Sequence, residues 1–250
     1  MKVFFIGAGP GDPELLTIKA KKIIEKADII IYAGSLISKD IIKLAKKDAR
    51  IYDSSHMSLE EVLRIIHRAK PAEKIIARIH SGDPSIYGAI QEQMDWCEKQ
   101  EIDYCVIPGV SSFQAAAASL KQELTLPGVC QTVILTRISG RTKVPAKEDL
   151  QRLGQSKATM VIFLSIDRIG DVIKKIKKNY GLNTPVAMVE KVSFPDERII
   201  TGTLENIAKK VKKAGIARQA LIIIGDILKK DYQKSKLYDK GFEHMFRKRK

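Results

Sequence analysis

Short apolar runs alternate with helix-length segments through the first half of this sequence, and three of the runs end in glycine-containing turns. The runs and their turns are Val3–Ile6 with Gly7–Asp12, Ile75–Ile79 with His80–Pro84, and Tyr104–Ile107 with Pro108–Ser112. Alternating strands and helices predict βαβ units and a mainly parallel sheet. Since ligands of open α/β folds bind at the carboxyl ends of the strands, we expect these turns to line a crevice. Glycine there would let bare backbone approach a ligand.

The rest of the first half fits the same pattern, with further strands at Ile29–Tyr32 and Arg50–Tyr52 and helices at Leu16–Lys26, Lys39–Lys46, Ile86–Gln100 and Ser111–Leu120. A capping box formed by Ser58 and Glu61 predicts the start of one more helix. The second half has strand patterns at Thr132–Thr136, Thr159–Leu164, Val186–Val189, Arg198–Thr201 and Leu221–Ile224, and helix patterns at Asp167–Tyr180 and Leu204–Ala214. We expect some of its neighbouring strands to be antiparallel.

The fold class is therefore α/β, with two α/β domains and a cleft between them. We expect an N-terminal domain with a mainly parallel sheet over residues 1–121 and a C-terminal domain with a mixed sheet over residues 122–229. The segment Gln122–Gly128, which contains Pro127-Gly128, is interpreted as the start of the second domain and a linker. Residues 230–250 form a basic tail that we expect to be a mobile appendage, with His244 at the surface.

Composition limits the function classes. The formal net charge of +15 is compatible with a nucleic acid, with a polyanionic small substrate, or with lysine-rich solvated helix faces. The last is favoured, because much of the charge lies in dispersed Lys-Lys pairs. No apolar stretch is long enough to suggest a membrane span, and no export signal is visible, so we expect a cytoplasmic protein without a membrane partner. Cys97, Cys105 and Cys130 match neither a disulfide framework nor a zinc pattern, and no metal site is predicted.

The first glycine turn does not fit the common nucleotide signatures. Asp12 occupies the third glycine position of G-x-G-x-x-G, and the strand Ile29–Tyr32 ends in Ala33-Gly34-Ser35 rather than in an acidic residue that could bind a ribose. No G-x-x-x-x-G-K-[ST] sequence is present, so nothing indicates a nucleoside triphosphatase. A dinucleotide-binding enzyme is thus disfavoured.

The order and spacing of the turns resemble the signatures of the tetrapyrrole methylases, which use S-adenosylmethionine on a two-domain fold. The resemblance rests on Gly7–Thr17, on Ser81–Pro84 with Tyr87-Gly88, and on Ile107–Ser112, and it extends from Lys2 to about Ile227. Within the family, Tyr32–Leu36, His80–Met94, Thr132–Thr142 and Phe194–Glu197 resemble the enzymes that methylate C11 of precorrin-4 or its cobalt complex in vitamin B12 synthesis. Ser81 stands where threonine is usual, and Lys143 where proline is expected.

The resemblance implies S-adenosylmethionine as methyl donor and S-adenosylhomocysteine as product. The residues that it implies around the donor are Pro10, Ser81, Gly82, Asp83, Ile86, Ser111, Ser112, Ser165, Val192 and Ala220. Asp83 is also suited to capping a helix before Ile86, and Ser111 to capping the alanine-rich helix that follows it.

The substrate implied is an anionic tetrapyrrole with many carboxylates. Its predicted binding residues are His56, Met57, His80, Arg137 and Arg141, the arginines because guanidinium groups bind carboxylates in pairs of hydrogen bonds. Arg78 is a further candidate, with a structural role inside its strand as the alternative. No catalytic residue is assigned; His80 is either a base or a structural histidine, and methyl transfer depends mainly on positioning.

The resemblance further implies a homodimer, and no nucleic-acid partner is expected. Three alternatives stay open. One is a sister tetrapyrrole methylase acting at another ring carbon, and another is a ribosomal RNA methylase of the same fold. The third is a non-catalytic RNA-binding module, whose affinity would depend strongly on salt.

Overall fold

The computed structural model describes residues 1–229, 231–235, 237, 239, 241–243 and 245–248. Internal contacts divide the chain into two compact units. Unit 1 comprises Met1–Ala116 and Lys191–Glu197, and unit 2 comprises Ala117–Glu190 and the chain from Arg198 onward. Lys191–Glu197 thus belongs by its contacts to the first unit, although it lies in the second half of the sequence. Lys230 and His244 of the predicted tail lie outside the described residues.

Unit 1 is built on a five-stranded parallel sheet in the order β3-β2-β4-β1-β5. Its strands are β1 (Lys2–Gly7), β2 (Ile29–Tyr32), β3 (Arg50–Asp53), β4 (Ile75–His80) and β5 (Asp103–Ile107). The helices that follow them are α1 (Ile18–Lys26), α2 (Lys39–Ile42), α3 (Leu59–Ala69), α4 (Gln91–Lys99) and α5 (Ser112–Ser119). The predicted parallel sheet is confirmed.

The helices cover both faces of this sheet. Ile24 of α1 and Ile41 of α2 pack in one buried cluster, whereas Ile66 of α3 and Cys97 of α4 pack in another. Right-handed crossovers require this separation, because the chain moves one way across the sheet from β1 to β3 and the other way from β3 to β5. The neighbours β1 and β4 are therefore followed by helices on opposite faces. Their carboxyl ends form the switch point where ligands bind in such sheets.

The start of α3 agrees with its sequence signal. The Ser58 hydroxyl accepts a hydrogen bond from the Glu61 N–H, and the Glu61 carboxylate accepts one from the Ser58 N–H. The capping box is confirmed, and it satisfies two donors that a helix terminus otherwise leaves free.

The helix expected over Ile86–Gln100 is wrong in its first turn, since α4 begins only at Gln91. Tyr87 and Ala89 have φ values of 56° and 49°, which an α-helix cannot contain. A Cβ on the intervening Gly88 would lie 2.1 Å from the Pro84 carbonyl oxygen. Pro84–Tyr87 is consequently a turn, and no helix begins at Ile86 for Asp83 to cap.

Unit 2 contains a mixed sheet in the order β6-β7-β10-β8-β9. Its strands are β6 (Val133–Thr136), β7 (Thr159–Ile162), β8 (Pro185–Glu190), β9 (Arg198–Thr203) and β10 (Ala220–Ile224). Only β6 and β7 pair in parallel; the other pairs are antiparallel. The helices are α6 (Leu150–Leu153), which the sequence patterns did not indicate, α7 (Ile169–Tyr180) and α8 (Ile207–Lys213).

In a hydrophobic cluster of unit 2, Met160 and Ile222 of the sheet pack among Ile176 of α7 and Val211 of α8. The segment interpreted as a linker is attached to this unit, because Leu126 is buried and the Thr159 hydroxyl donates to the Leu124 carbonyl at 3.0 Å.

The three cysteines are free, with Cys97 buried and the other two half-buried. None of the helices in the described part of the chain has the length and apolar character needed to cross a membrane.

Candidate functional site

The turns after β1 and β4 are joined by backbone hydrogen bonds. Gly9 and Gly82 form an antiparallel bridge in which the Gly82 N–H donates to the Gly9 carbonyl at 2.7 Å and the reverse bond measures 3.2 Å. The Ala8 N–H donates to the His80 carbonyl at 2.8 Å. The two predicted turns therefore meet at the switch point of the sheet.

Glycine is required where the third turn joins them. A Cβ on Gly109 would lie 2.3 Å from the Gly82 carbonyl oxygen, and one on Gly7 would lie 2.6 Å from the Gly109 nitrogen. Gly82 itself has a φ of +62°, in the left-handed region that favours glycine. The backbone of three strand ends is thus packed together without side chains between them.

Asp83 braces this cluster. Its Oδ2 accepts the Gly109 N–H at 2.9 Å, and its Oδ1 accepts from the N–H and the hydroxyl of Ser85. Partial burial raises the pKa of Asp83, but these hydrogen bonds outweigh it and hold the pKa below its usual value. An ionised Asp83 therefore ties the second turn to the third, and its predicted contact with a ligand stays a prediction.

The other predicted donor-binding residues of the three turns lie around the same cluster. Pro10 is buried, Ser81 and Ile86 are half-buried, and Ser111 is buried next to Ser112, the first residue of α5. The Ser111 N–H donates to Gln114 Oε1 at 3.0 Å, which is one half of a capping box. The structure brings these five residues together with Gly82 and Asp83 in unit 1.

The segment Lys191–Glu197 also contacts the first turn. The Ser193 hydroxyl accepts the Asp12 N–H at 2.9 Å, and a Cβ on Gly11 would lie 2.3 Å from Phe194 Cδ2. Val192, predicted to contact the donor, is buried within this segment. Ser193 was not predicted from the sequence, because its contact with Asp12 joins residues far apart in the chain.

Two of the predicted substrate residues, His56 and Met57, follow β3. Ser54–His56 form one 3-10 turn, in which His56 is exposed. Met57 is half-buried and packs against the hydrophobic cluster under α3 and α4. Met57 is accordingly a residue of the core boundary, while His56 presents its side chain to solvent.

His80 lies at the end of β4 and is buried. Burial lowers its pKa to about 3, with a smaller contribution from the charge of Arg78 and an opposing hydrogen bond to the Gly88 backbone. Its Nε2 is buried without a hydrogen-bond partner in the described part of the chain. His80 is therefore neutral near pH 7, with one ring nitrogen unsatisfied.

The remaining predicted site residues lie in unit 2. Ser165 is fully buried, and its hydroxyl accepts the Ile138 N–H at 3.1 Å and donates to the Phe163 carbonyl at 2.6 Å. Ala220 is buried at the start of β10, in register with Glu190. The Ser165 side chain thus has an internal role, its carbonyl accepts the Arg168 N–H at 3.1 Å, and its predicted donor contact stays a prediction.

The two predicted arginines of unit 2 differ. Arg137 donates to the carbonyl oxygens of Ile138, Thr142 and Lys143 at 3.0–3.3 Å, and so holds the loop after β6. Arg141 is exposed within that loop and has no hydrogen bond or ion pair with any described residue. Of these two arginines, Arg141 is therefore the one whose guanidinium has no partner among the described residues.

Left-handed backbone at residues other than glycine lies next to several predicted donor contacts. Lys191 and Ser193 flank Val192, Leu164 precedes Ser165, Gln219 precedes Ala220, and Tyr87 follows Ile86. Each such residue costs on the order of 1–2 kcal/mol, and such strain concentrates at functional sites. Leu164, 69% exposed, is a candidate that the sequence did not single out.

These residues offer binding and positioning rather than a proton relay. Packed turns present backbone donors and acceptors, Asp83 is ionised, and His80 is neutral. No group of three or more His, Cys, Asp and Glu side chains that could hold a metal ion is found among the described residues. The arrangement suits a ligand held by backbone contacts at the switch point.

Comparisons with known proteins agree with this geometry. Residues 2–208 match the family described as Tetrapyrrole (Corrin/Porphyrin) Methylases. The cobalt-precorrin-4 C(11)-methyltransferase of Methanocaldococcus jannaschii is 55% identical over 99% of this chain and 96% of that protein. The X-ray structure of a cobalamin biosynthetic enzyme, cobalt precorrin-4 methyltransferase, has a TM-score of 0.89 and 41% identity, covering 91% of this chain and 95% of that one.

A second solved structure is the uroporphyrin-III C-methyl transferase of Thermus thermophilus complexed with S-adenosylhomocysteine. It has a TM-score of 0.78 and 26% identity, and it covers 91% of this chain and 99% of that one. The match of most of the chain to one family, with the turns of that family's signatures assembled at one sheet edge, shows that this chain belongs to the tetrapyrrole methylases.

Proposed function

We propose that this protein transfers a methyl group from S-adenosylmethionine to C11 of cobalt-precorrin-4 or precorrin-4 in cobalamin biosynthesis, as a cytoplasmic homodimer. The observation that carries the proposal is the cluster of three glycine turns at the switch point, in a chain 55% identical to a cobalt-precorrin-4 C(11)-methyltransferase. Free thiols on all three cysteines fit a reducing compartment.

The residues present fit the methyl donor. Pro10, Gly82 and Ser111 supply buried backbone around the cluster, and Ile86 and Val192 supply apolar surface. Close-packed glycines let the backbone approach a ligand, and the free N–H groups at the start of α5 add donors. Ser81, Asp83 and Ser112 complete the set that we propose in unit 1, and Ser165 and Ala220 remain the donor contacts predicted for unit 2.

S-adenosylmethionine supplies an electrophilic methyl group whose leaving group departs as a neutral thioether. The protein's contribution is then to align the donor with the ring carbon and to exclude water. The rigid turns serve the alignment, because their conformation is set by backbone contacts that no side-chain rotation can change. His80, neutral and with Nε2 unsatisfied, offers a hydrogen-bond acceptor to the substrate, and its lowered pKa makes it a weak base.

The substrate's carboxylates are proposed to bind Arg141, with Arg137 shaping the loop that carries it. His56 and Met57 are proposed to border the macrocycle. A methylase for another ring carbon is less well supported, since the uroporphyrin-III enzyme shares 26% identity against 41% for the cobalt precorrin-4 enzyme.

Isotope transfer tests this proposal. The protein is incubated with methyl-labelled S-adenosylmethionine and, separately, with cobalt-precorrin-4, precorrin-4, uroporphyrinogen III and ribosomal RNA. We expect label in the first two only, at a quaternary carbon assigned to C11 by carbon NMR. Label in uroporphyrinogen III would assign the sister activity, and label in RNA alone would refute a tetrapyrrole substrate. Analytical ultracentrifugation of the same sample tests the dimer.

A further inference from the structure

Two formally charged side chains are buried in the described part of the chain, and only one of them has a counterion. Glu190 is 7% exposed, and its Oε2 lies 2.6 Å from Arg198 Nε. Arg78, on β4, is also 7% exposed, but no acidic side chain of the described residues lies within ion-pair distance of it. Burial lowers the pKa of Arg78 to about 10, so the group stays charged at pH 7. A buried charge without a partner is costly in a folded protein.

Neutral groups hold the Arg78 guanidinium in one orientation. Nε donates to Gln93 Oε1 at 3.1 Å, and Nη1 donates to the Ile31 carbonyl at 3.3 Å and to Ser54 Oγ at 3.0 Å. These partners are themselves fixed, because Gln93 Nε2 donates to the Ala89 carbonyl and the Ser54 hydroxyl donates to the Tyr32 carbonyl. The plane of the guanidinium is therefore set before any ligand arrives.

One nitrogen of this group remains available. Nη2 makes no hydrogen bond to any described residue. In the described chain, the side-chain polar atoms that are both fully enclosed and without a partner belong to His80, Asn179 and Thr203. Nη2 of Arg78 is not among them. Nη2 therefore keeps some accessible surface, and it presents two N–H donors there.

The position of Arg78 connects it with the proposed substrate residues. Ser54, which accepts from Nη1, opens the turn that ends in His56. His80 lies two residues further along β4, on the same face of the strand. His80 is neutral and Arg78 is charged, so of these two residues only Arg78 can attract an anion by its charge.

We propose that Arg78 binds a side-chain carboxylate of the tetrapyrrole and thereby selects the edge of the macrocycle that enters unit 1. This inference rests on the proposed function. The carboxylate provides the counterion that the folded chain lacks, and it meets a donor already oriented, so little side-chain entropy is lost on binding. A charge-assisted hydrogen bond in a desolvated position is stronger than one at the surface.

The test compares the free-acid macrocycle with its methyl-esterified form. Dissociation constants of both are measured by equilibrium dialysis for the wild-type protein and for Arg78→Gln. We expect the preference of the wild type for the acid to fall by about 10- to 100-fold in the variant, the range of a lost charge-assisted bond. The ratio is taken within each variant, so a general loss of folded protein cancels. If Arg78→Gln does not fold, Arg78→Lys takes its place, because it keeps the charge but not the fixed orientation of the donors. We expect a smaller decrease in the preference for the acid in Arg78→Lys than in Arg78→Gln.

Two control variants separate charge from position. Arg64→Gln removes an exposed arginine of α3 and should leave the acid preference at the wild-type value. Ser54→Ala removes one hydrogen bond of Arg78 but not its charge, and should keep most of the preference. A decrease in Ser54→Ala equal to that in Arg78→Gln would assign Arg78 to positioning the turn and overturn the inference.

The remaining outcomes are distinct. An Arg78→Gln protein that prefers the acid as strongly as the wild type does overturns the role of Arg78 and leaves the proposed function intact. A wild-type protein that binds neither form of any macrocycle overturns both.

Discussion

The two units hold the loops at their strand ends by different means. In unit 1 the turns after β1, β4 and β5 pack backbone against backbone; Gly7 and Gly109 leave no space for a side chain, and Gly82 has a φ of +62° that favours glycine. In unit 2 the loop after β6 is held by one long side chain, Arg137, which donates to three carbonyl oxygens. The first arrangement presents bare backbone to a small ligand, whereas the second keeps a loop in shape and leaves Arg141 exposed.

This difference predicts opposite tolerance to substitution. A backbone contact fails when any atom is added, because neither partner can rotate away. A loop held by a side chain tolerates changes everywhere except at the residue that holds it. Three measurements test the comparison, beginning with the largest expected effect.

Gly109→Ala should destabilise unit 1 by about 3 kcal/mol, the upper part of the range for inserting atoms into a packed site. The added Cβ would lie 2.3 Å from a backbone oxygen, which cannot rotate aside. The fluorescence of Trp96, the single tryptophan, follows the unfolding of unit 1 in denaturant. Gly170→Ala in α7 of unit 2 is the matched control, since nothing lies within 4 Å of its Cβ; circular dichroism, which follows both units, should show a gain of roughly 0.5–1 kcal/mol. Equal midpoints for Gly109→Ala and the wild type would contradict the backbone-packing account.

Arg137→Ala should cost about 1–2 kcal/mol, because three carbonyl oxygens lose their donor. Arg141→Ala should change stability by less than about 0.5 kcal/mol, as is usual for an exposed side chain, while weakening binding of the macrocycle about 10-fold. Thermal unfolding and equilibrium dialysis of the two variants give the comparison. The reverse result, with Arg141→Ala unstable and Arg137→Ala impaired only in binding, would exchange the two assigned roles.

Acid sensitivity should be the smallest effect and should occur in both units. Hydrogen bonds from Lys46 and the Ile75 N–H lower the pKa of Asp28 in unit 1, and hydrogen bonds from Lys175 and the Gln151 N–H lower that of Asp149 in unit 2. A lowered pKa in the folded state stabilises the protein above the unfolded value, about 4 for aspartate, and the contribution is lost as the pH falls through the folded pKa.

We therefore expect Asp28→Asn and Asp149→Asn to be less stable than the wild type at pH 7, each by less than about 1 kcal/mol because these pairs are partly exposed. The difference should shrink as the pH is lowered from 5 towards 2 in urea unfolding series. Trp96 fluorescence should register Asp28→Asn more than Asp149→Asn, since it lies in unit 1. A difference that grows on acidification would contradict the assigned sign.

Local signals in the sequence predicted where the strands of both sheets begin and end to within two residues. The capping box of Ser58 and the glycine turns were also readable, because they depend on residues close together in the chain. The same turns indicated the switch point, since parallel strands place their carboxyl ends at one edge whatever their order. This part of the candidate site required no knowledge of the packing.

Other features were decided by contacts between distant residues. The patterns of β8, β9 and β10 do not encode that β10 lies between β7 and β8, because any apolar strand could fill that position. The residue pattern predicts that α4 begins at Ile86, but the left-handed backbone of Tyr87 and Ala89 delays its start to Gln91. Lys191–Glu197 belongs to unit 1 by its contacts, among them the hydrogen bond from the Asp12 N–H to Ser193. These two residues lie 181 positions apart in the chain.

The arginines show the same limit most directly. Sequence alone determined that this chain forms a parallel α/β unit with backbone-lined turns, because hydrophobic period and glycine position act over a few residues. Only the tertiary structure decided that Arg137 is occupied by carbonyl oxygens and that, among the described residues, Arg141 has no partner and the buried Arg78 has no counterion. The charge and reach of an arginine are the same in every sequence, and its role is set by which acceptors the folded chain places within hydrogen-bond distance.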